Sequence, residues 1–115
     1  GDGHHTEAAI GWALAAYSFD AYKKTKSTPA PLLRMPAKVD KKRVNAFAEA
    51  IFLVRDLINT PANDLGPADL EAAARELAGT FEAKLKVTSG PTLKSGFPLV
   101  HAVGHGSPRR PRLIE

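Results

Sequence analysis

Apolar positions along the chain repeat at helical spacing, lose their period, and regain it. Ile10, Ala13, Leu14, Tyr17 and Ala21 recur at steps of three and four and predict a helix over 6–22, with Thr6 as its N-cap. Trp12, Phe19 and Tyr22 widen the apolar face, so this helix is expected to make contacts on more than one side. From Lys23 to Lys38 the period vanishes. Pro29, Pro31 and Pro36 forbid a regular helix there. Leu32, Leu33 and Met35 are too apolar for a free tether, so a docked linker is expected. Asp40 then caps a second helix, in which Val44, Phe47, Ile51, Val54 and Ile58 share one face. Phe52 and Leu53 broaden that face toward burial on much of the helix surface. The helix has to stop by about Thr60, because the residue before Pro61 is steered out of the α region.

The run Asn59-Thr60-Pro61-Ala62-Asn63-Asp64-Leu65-Gly66 is a turn built from residues that bond their own backbone or permit unusual geometry. Pro67 opens the next helix, with Asp69 and Glu71 near its positive end and Leu70, Ala73, Ala74 and Leu77 along it. Gly79 is the stop signal. Phe81, Ala83, Leu85 and Val87 then alternate with Glu82, Lys84, Lys86 and Thr88, which predicts a strand with one buried face. Ser89-Gly90-Pro91 breaks it, and Thr92–Gly96 is expected to form a short helical turn. Phe97–Val103 is apolar between glycines, a short buried segment of either strand or helix. Gly104–Pro111 is a basic loop, and Arg112–Glu115 opens another strand. A chain that stops as a strand starts is expected to be a truncated one.

Composition narrows the classes. The 115 residues carry a net charge of +4, but basic and acidic residues are interspersed along most of the chain, which argues for solvated faces and against a nucleic-acid interface. With no cysteine, disulfides, thiolate catalysis and cysteine metal sites are excluded. No apolar run approaches the ~20 residues of a membrane span. Gly1-Asp2-Gly3-His4-His5 has no leader pattern and is expected to be a loop or tag edge.

Candidate chemistry is sparse. His101 and His105 are four apart, which on a helix would put both imidazoles on one face as metal ligands; Gly104 and Gly106 argue against a helix there, and no third ligand is evident. Gly104-His105-Gly106-Ser107 lacks the spacing of a phosphate loop or a nucleophile elbow, so Ser107 is a turn residue before it is a nucleophile. Asp56, Asn63, Asp64 and Asp69 are close in sequence, yet turn and helix-end roles account for Asn63, Asp64 and Asp69. Arg109, Arg110 and Arg112 can meet an anion or an acidic partner, against the plainer reading of a solvated loop.

The run Arg55-Asp56-Leu57-Ile58-Asn59-Thr60-Pro61-Ala62-Asn63 closely resembles the leucyl aminopeptidase (cytosol aminopeptidase) family at the start of its catalytic domain. Ala9–Tyr22 with Tyr17-Ser18-Phe19-Asp20, Phe97–Gly104, and Pro111-Arg112-Leu113-Ile114-Glu115 agree in the same order; His105 stands where family members often have Arg or Lys. The resemblance implies an α/β fold, an incomplete portion of an α/β/α sandwich. Residues 1–24 would end an N-terminal domain, 25–39 form a Pro-rich linker and 40–115 open the catalytic domain. It implies a cytoplasmic, hexameric exopeptidase that releases N-terminal amino acids from peptides with two divalent ions (zinc, manganese or magnesium). The family's metal and catalytic motifs would lie beyond residue 115, so no catalytic, metal or substrate-binding residue carries over. No cofactor is expected on this segment, which is predicted inactive by itself. A non-catalytic helical assembly module and a weak basic nucleic-acid-binding module are the alternatives. Partners implied are peptide substrate, the remainder of the catalytic domain and further copies of the chain, with no membrane.

Overall fold

A computed structural model describes residues 4–115, so the expectation for Gly1–Gly3 lies outside the described residues. Among the described residues the fold is α/β, five helices and a small antiparallel sheet, in two compact units, 1–59 and 60–115.

The first unit holds α1 (His5–Ala15) and α2 (Lys41–Asn59). Ala9, Val39 and Val44 form its buried centre, with Ile10, Ala13, Leu33 and Met35 packed against them. Part of the proline-rich stretch is thus docked, while Leu32 is fully exposed. Asp40 caps α2 by accepting from the Arg43 backbone N–H at 3.0 Å. Thr6 is not the N-cap of α1; its hydroxyl accepts from the Asp40 N–H at 3.2 Å and so joins the starts of the two helices.

Helix α1 ends at Ala15, well short of the predicted Tyr22. The reason lies just beyond it. Asp20 gathers donors from the Ser18 hydroxyl, the Lys23 ammonium and both the backbone N–H and hydroxyl of Ser27, at 2.7–2.9 Å. Short polar side chains that bond nearby groups in this way compete with helix continuation. The expected burial of α2 on much of its surface also fails among the described residues. Val44 is its buried position, whereas Phe47, Val54 and Ile58 are 47%, 52% and 76% exposed.

The second unit holds α3 (Pro67–Thr80), β1 (Val87–Ser89), α4 (Gly90–Gly96), α5 (Pro98–Gly104) and β2 (Arg112–Ile114). Strands β1 and β2 pair antiparallel, Val87 opposite Ile114 and Ser89 opposite Arg112. Leu93 and Thr88 are buried between the sheet and the short helices. The predicted strand over 81–88 shrinks to its last residues because α3 overruns Gly79. The helix closes with Glu82 N–H bonded to Gly79 C=O and Ala83 N–H to Ala78 C=O, a Schellman ending whose left-handed residue is Glu82, at φ 51°. The chain spends Phe81–Ala83 on that ending. Phe97–Val103 resolves to helix, and contrary to expectation it is not buried: Leu99 is 81% and Val103 91% exposed.

Candidate functional site

Among the described residues, five polar clusters and an apolar groove are candidate places for chemistry or recognition. In the first unit Tyr17 is a hub. Its hydroxyl donates to Asp56 at 2.6 Å and accepts from Asn59 at 3.2 Å, its ring stacks obliquely on Phe52, and the Arg55 guanidinium lies over its face. Arg55 also donates to the Leu14 carbonyl at 2.8 Å, tying α2 to the end of α1. Desolvation, then the bond to Asp56, raises the Tyr17 phenol above its ordinary value, so it stays a neutral donor. Asp20 is the second hub. The Lys23 ammonium, then the Ser18 and Ser27 donors, hold its carboxyl well below the usual carboxylate range.

In the second unit the turn after Pro61 is built by an arginine far along the chain. The Arg109 guanidinium donates to the backbone carbonyls of both Ala62 and Asn63. Asp69 accepts from the Gly66 N–H at 2.8 Å, and the Asp64 and Leu65 N–H groups bond the Pro61 carbonyl. A Cβ on Gly66 would stand 2.8 Å from Arg109 Cδ, so glycine is what lets the arginine lie across the turn. Arg112 pairs with Glu71, which also takes Arg75 at 2.7 Å; Arg112 first, then Arg75, lowers the Glu71 carboxyl. The basic loop is therefore not simply solvated: Arg109 is spent on backbone and Arg112 on a carboxylate. Sequence reasoning placed all three arginines but missed these partners, 46 and 41 residues away.

His101 and His105 do share a helical face, since α5 runs through Gly104 despite the flanking glycines, and their ring centroids lie 5.7 Å apart. With Lys94, Ser107 and Arg110 they border a cleft of about 630 Å³ that has no carboxylate on its walls. Among the described residues no group of three or more His, Cys, Asp or Glu side chains converges as metal ligands do. Asp56 is joined to Tyr17 in the first unit; Asp69 serves the start of α3 in the second. Beside α3 and α5 runs an apolar groove of about 680 Å³, lined by Leu65, Leu70, Leu99, Val100, Val103 and Ile114.

Residues 52–115 match the model of the cytosol aminopeptidase family, catalytic domain. The chain belongs to the cytosol aminopeptidase family. It is 36% identical over 122 aligned positions to a probable cytosol aminopeptidase of Rhodococcus opacus, covering 93% of this chain and 24% of the relative. Among solved structures it is similar to the cytosol aminopeptidase of Coxiella burnetii, with a TM-score of 0.83 and 38% identity over 96% of this chain and 24% of that one. The bottromycin maturation enzyme BotP in complex with Mn follows at 0.74 and 32%, again over 96% of this chain and 24% of that one. The chain thus spans about a quarter of the length of the family members it matches. Within the family match lie the Arg109-braced turn, the Glu71–Arg112 pair, the histidine face and the apolar groove; Tyr17 and Asp20 lie before it.

Proposed function

We propose that these residues are the opening segment of a metal-dependent aminopeptidase catalytic domain, a scaffold on which chemistry supplied elsewhere in the polypeptide is mounted. The observation that carries this reading is the TM-score of 0.83 against a chain four times as long, joined to a family match over the catalytic-domain part. Residues 1–24 close an N-terminal domain, 25–39 link it, and 40–115 begin the catalytic domain. The whole protein releases N-terminal amino acids from peptides, in the cytoplasm, as a hexamer.

Two divalent ions, zinc, manganese or magnesium, are the cofactor of that activity, and the residues present do not fit them. Asp20, Asp69 and Glu71 are each held by basic or backbone donors, and His101 and His105 offer two imidazoles with Lys94 and Arg110 beside them. On this reading no catalytic, metal or substrate-binding role falls to this segment. No helix among the described residues is long and apolar enough to cross a membrane.

The test has two arms. The 115-residue chain with manganese is expected to leave leucine p-nitroanilide intact. A chimera in which it replaces the matched quarter of the Coxiella burnetii enzyme is expected to hydrolyse that substrate in a manganese-dependent way. Turnover by the isolated chain above a metal-free control, or a folded but inactive chimera, would overturn the reading.

A further inference from the structure

Most cations of the second unit are already paired. Arg75 and Arg112 share Glu71, and Arg109 lies on the backbone carbonyls of the turn. Lys86 meets the Glu115 carboxylate at 3.1 Å, beside the two backbone hydrogen bonds, 2.7 and 2.8 Å, that those residues exchange. Lys84, Lys94 and Arg110 have no ion pair among the described residues. Two of these three, Lys94 and Arg110, border the same cleft, and His101 and His105 line it with them.

A concave surface lined by one sign of charge focuses its field and concentrates counter-ions. No carboxylate on these walls offsets the positive charge, and the volume of about 630 Å³ suits a small molecule. The donors are of the kinds that oxyanions take. Arg110 brings a planar guanidinium fork and Lys94 an ammonium, both exposed to an incoming ligand. The imidazoles of His101 and His105 have ring centroids 5.7 Å apart, a separation that one tetrahedral oxyanion can bridge. The Ser107 oxygen accepts from the Arg109 backbone N–H at 3.1 Å, which leaves its own proton to donate. Two imidazoles on one helical face would also suit a transition metal, but Lys94 and Arg110 oppose a second cation there. The balance of charge therefore favours an anion.

We propose that this cleft binds a phosphate group, free or at the end of a small monoester. Arg110 and Lys94 supply the charge, His101 and His105 supply N–H donors, and Ser107 donates to a further oxygen. The same walls would repel the terminal ammonium of a peptide, so the ligand is not the substrate of an aminopeptidase. Nothing in the assignment depends on the family reading. Pro91 and Pro108 add apolar rings to the walls, against which the organic part of an ester can lie. The titratable groups on the walls are the two imidazoles and Lys94, with Arg110 as a fixed charge. Protonating an imidazole adds both a donor and a positive charge, so affinity for an anion of constant charge rises as pH falls.

The test is an NMR titration of the isotope-labelled 115-residue chain with inorganic phosphate, glycerol phosphate and sulfate, against chloride at matched ionic strength. Phosphate is expected to shift the amides of 90–110 saturably, and chloride is not. Tighter binding of glycerol phosphate assigns the site to monoesters; tighter binding of inorganic phosphate assigns it to the free ion. Arg110→Gln and Lys94→Gln are each expected to weaken phosphate about tenfold, the worth of one hydrogen bond to a charged group. Lys84→Gln removes the same charge outside the cleft and is expected to change nothing. Sulfate keeps its charge between pH 8 and pH 6, so its tighter binding at pH 6 reports on the protein. Replacing both histidines, His101→Gln with His105→Gln, is expected to abolish that pH dependence. Circular dichroism checks that the helices of each variant persist. Failure to saturate, shifts that chloride reproduces, or an equal loss from Lys84→Gln overturns the proposal. So does a zinc titration that saturates the two histidines at lower concentration than phosphate does. Because the readout is binding and not hydrolysis, an inactive chimera defeats the functional reading and leaves this one standing.

Discussion

The two units hold themselves together in different ways. In the first, the Asp20 hub is a local knot that draws every donor from within seven residues, and the long-range ties, Tyr17 to Asp56 and Asn59 and Arg55 to the Leu14 carbonyl, join the end of α1 to α2 and leave the loop to itself. In the second, Arg109 and Arg112 reach back more than forty residues to the turn and to α3, and Gly104 at the end of α5 lies so near the Pro111 ring that no Cβ fits between them. Local knots hold short segments; long-range ones decide how a unit closes. The second unit is accordingly braced on the inside while its outer groove is left bare.

That contrast can be broken experimentally, and the largest effect is expected at Gly104. A Cβ there would stand 2.5 Å from the Pro111 ring, which cannot swing aside. Gly104→Ala is expected to destabilise the second unit by about 2–3 kcal/mol, the range of overpacking that forces backbone apart. Hydrogen exchange by mass spectrometry should show faster exchange in 60–115 and unchanged exchange in 4–59. Equal acceleration in both units would mean that they are not independently held.

Arg109→Met comes next. It frees the Ala62 and Asn63 carbonyls, which are exposed and recover water, so a loss of about 1–2 kcal/mol is expected, concentrated in 60–66. Thermal melts together with exchange at that turn measure it; an unchanged turn would show that the Asx and proline geometry suffices without the arginine.

The two carboxylates sharpen the comparison through pH. Glu71 and Asp20 both have lowered folded values, the first chiefly through Arg112 and the second chiefly through Lys23. A group of that kind contributes stability that is fully present above the ordinary carboxylate range and is lost as pH falls from that range through the lowered folded value. Melting temperatures of the parent chain should therefore drop from pH 6 to pH 3. Glu71→Gln is expected to flatten part of that drop in the second unit. Asp20→Asn is expected to flatten a smaller part, in the first unit, because its network holds only a loop. A drop unaltered by either substitution would place the acid sensitivity elsewhere.

What could be read without the structure divides along the same line. Helices α2 and α3 and the turn between them were legible because proline, Asx residues and apolar spacing act over a few positions. The cap at Asp40 was legible for the same reason. The stop of α1 at Ala15 was not, since Tyr17 and Ala21 keep helical spacing while Asp20 diverts the backbone. Nor was the end of α3: a glutamate takes the left-handed position where glycine is the usual signal, and the alternation after it mimics a strand. The arginine partners were out of reach because nothing local in Arg109 or Arg112 names a residue forty positions away. The candidate site shows the same split. The histidine pair was visible as a spacing, whereas the groove exists only once α3, α5 and β2 converge.

The pairing of Lys86 with Glu115 also sets an order of events. Those two residues enclose α4, α5 and the basic loop, so β1 has no partner until the chain has been extended through β2. Helix α3 and its Schellman ending need only neighbouring residues and can form early, while the sheet waits for a loop closure whose entropy must be met first. On a ribosome, the second unit would emerge helix first and acquire its sheet last. Through that interval Leu93, fully buried once the sheet has closed, stands in water, a window in which a growing chain is open to chaperones and to its own aggregation.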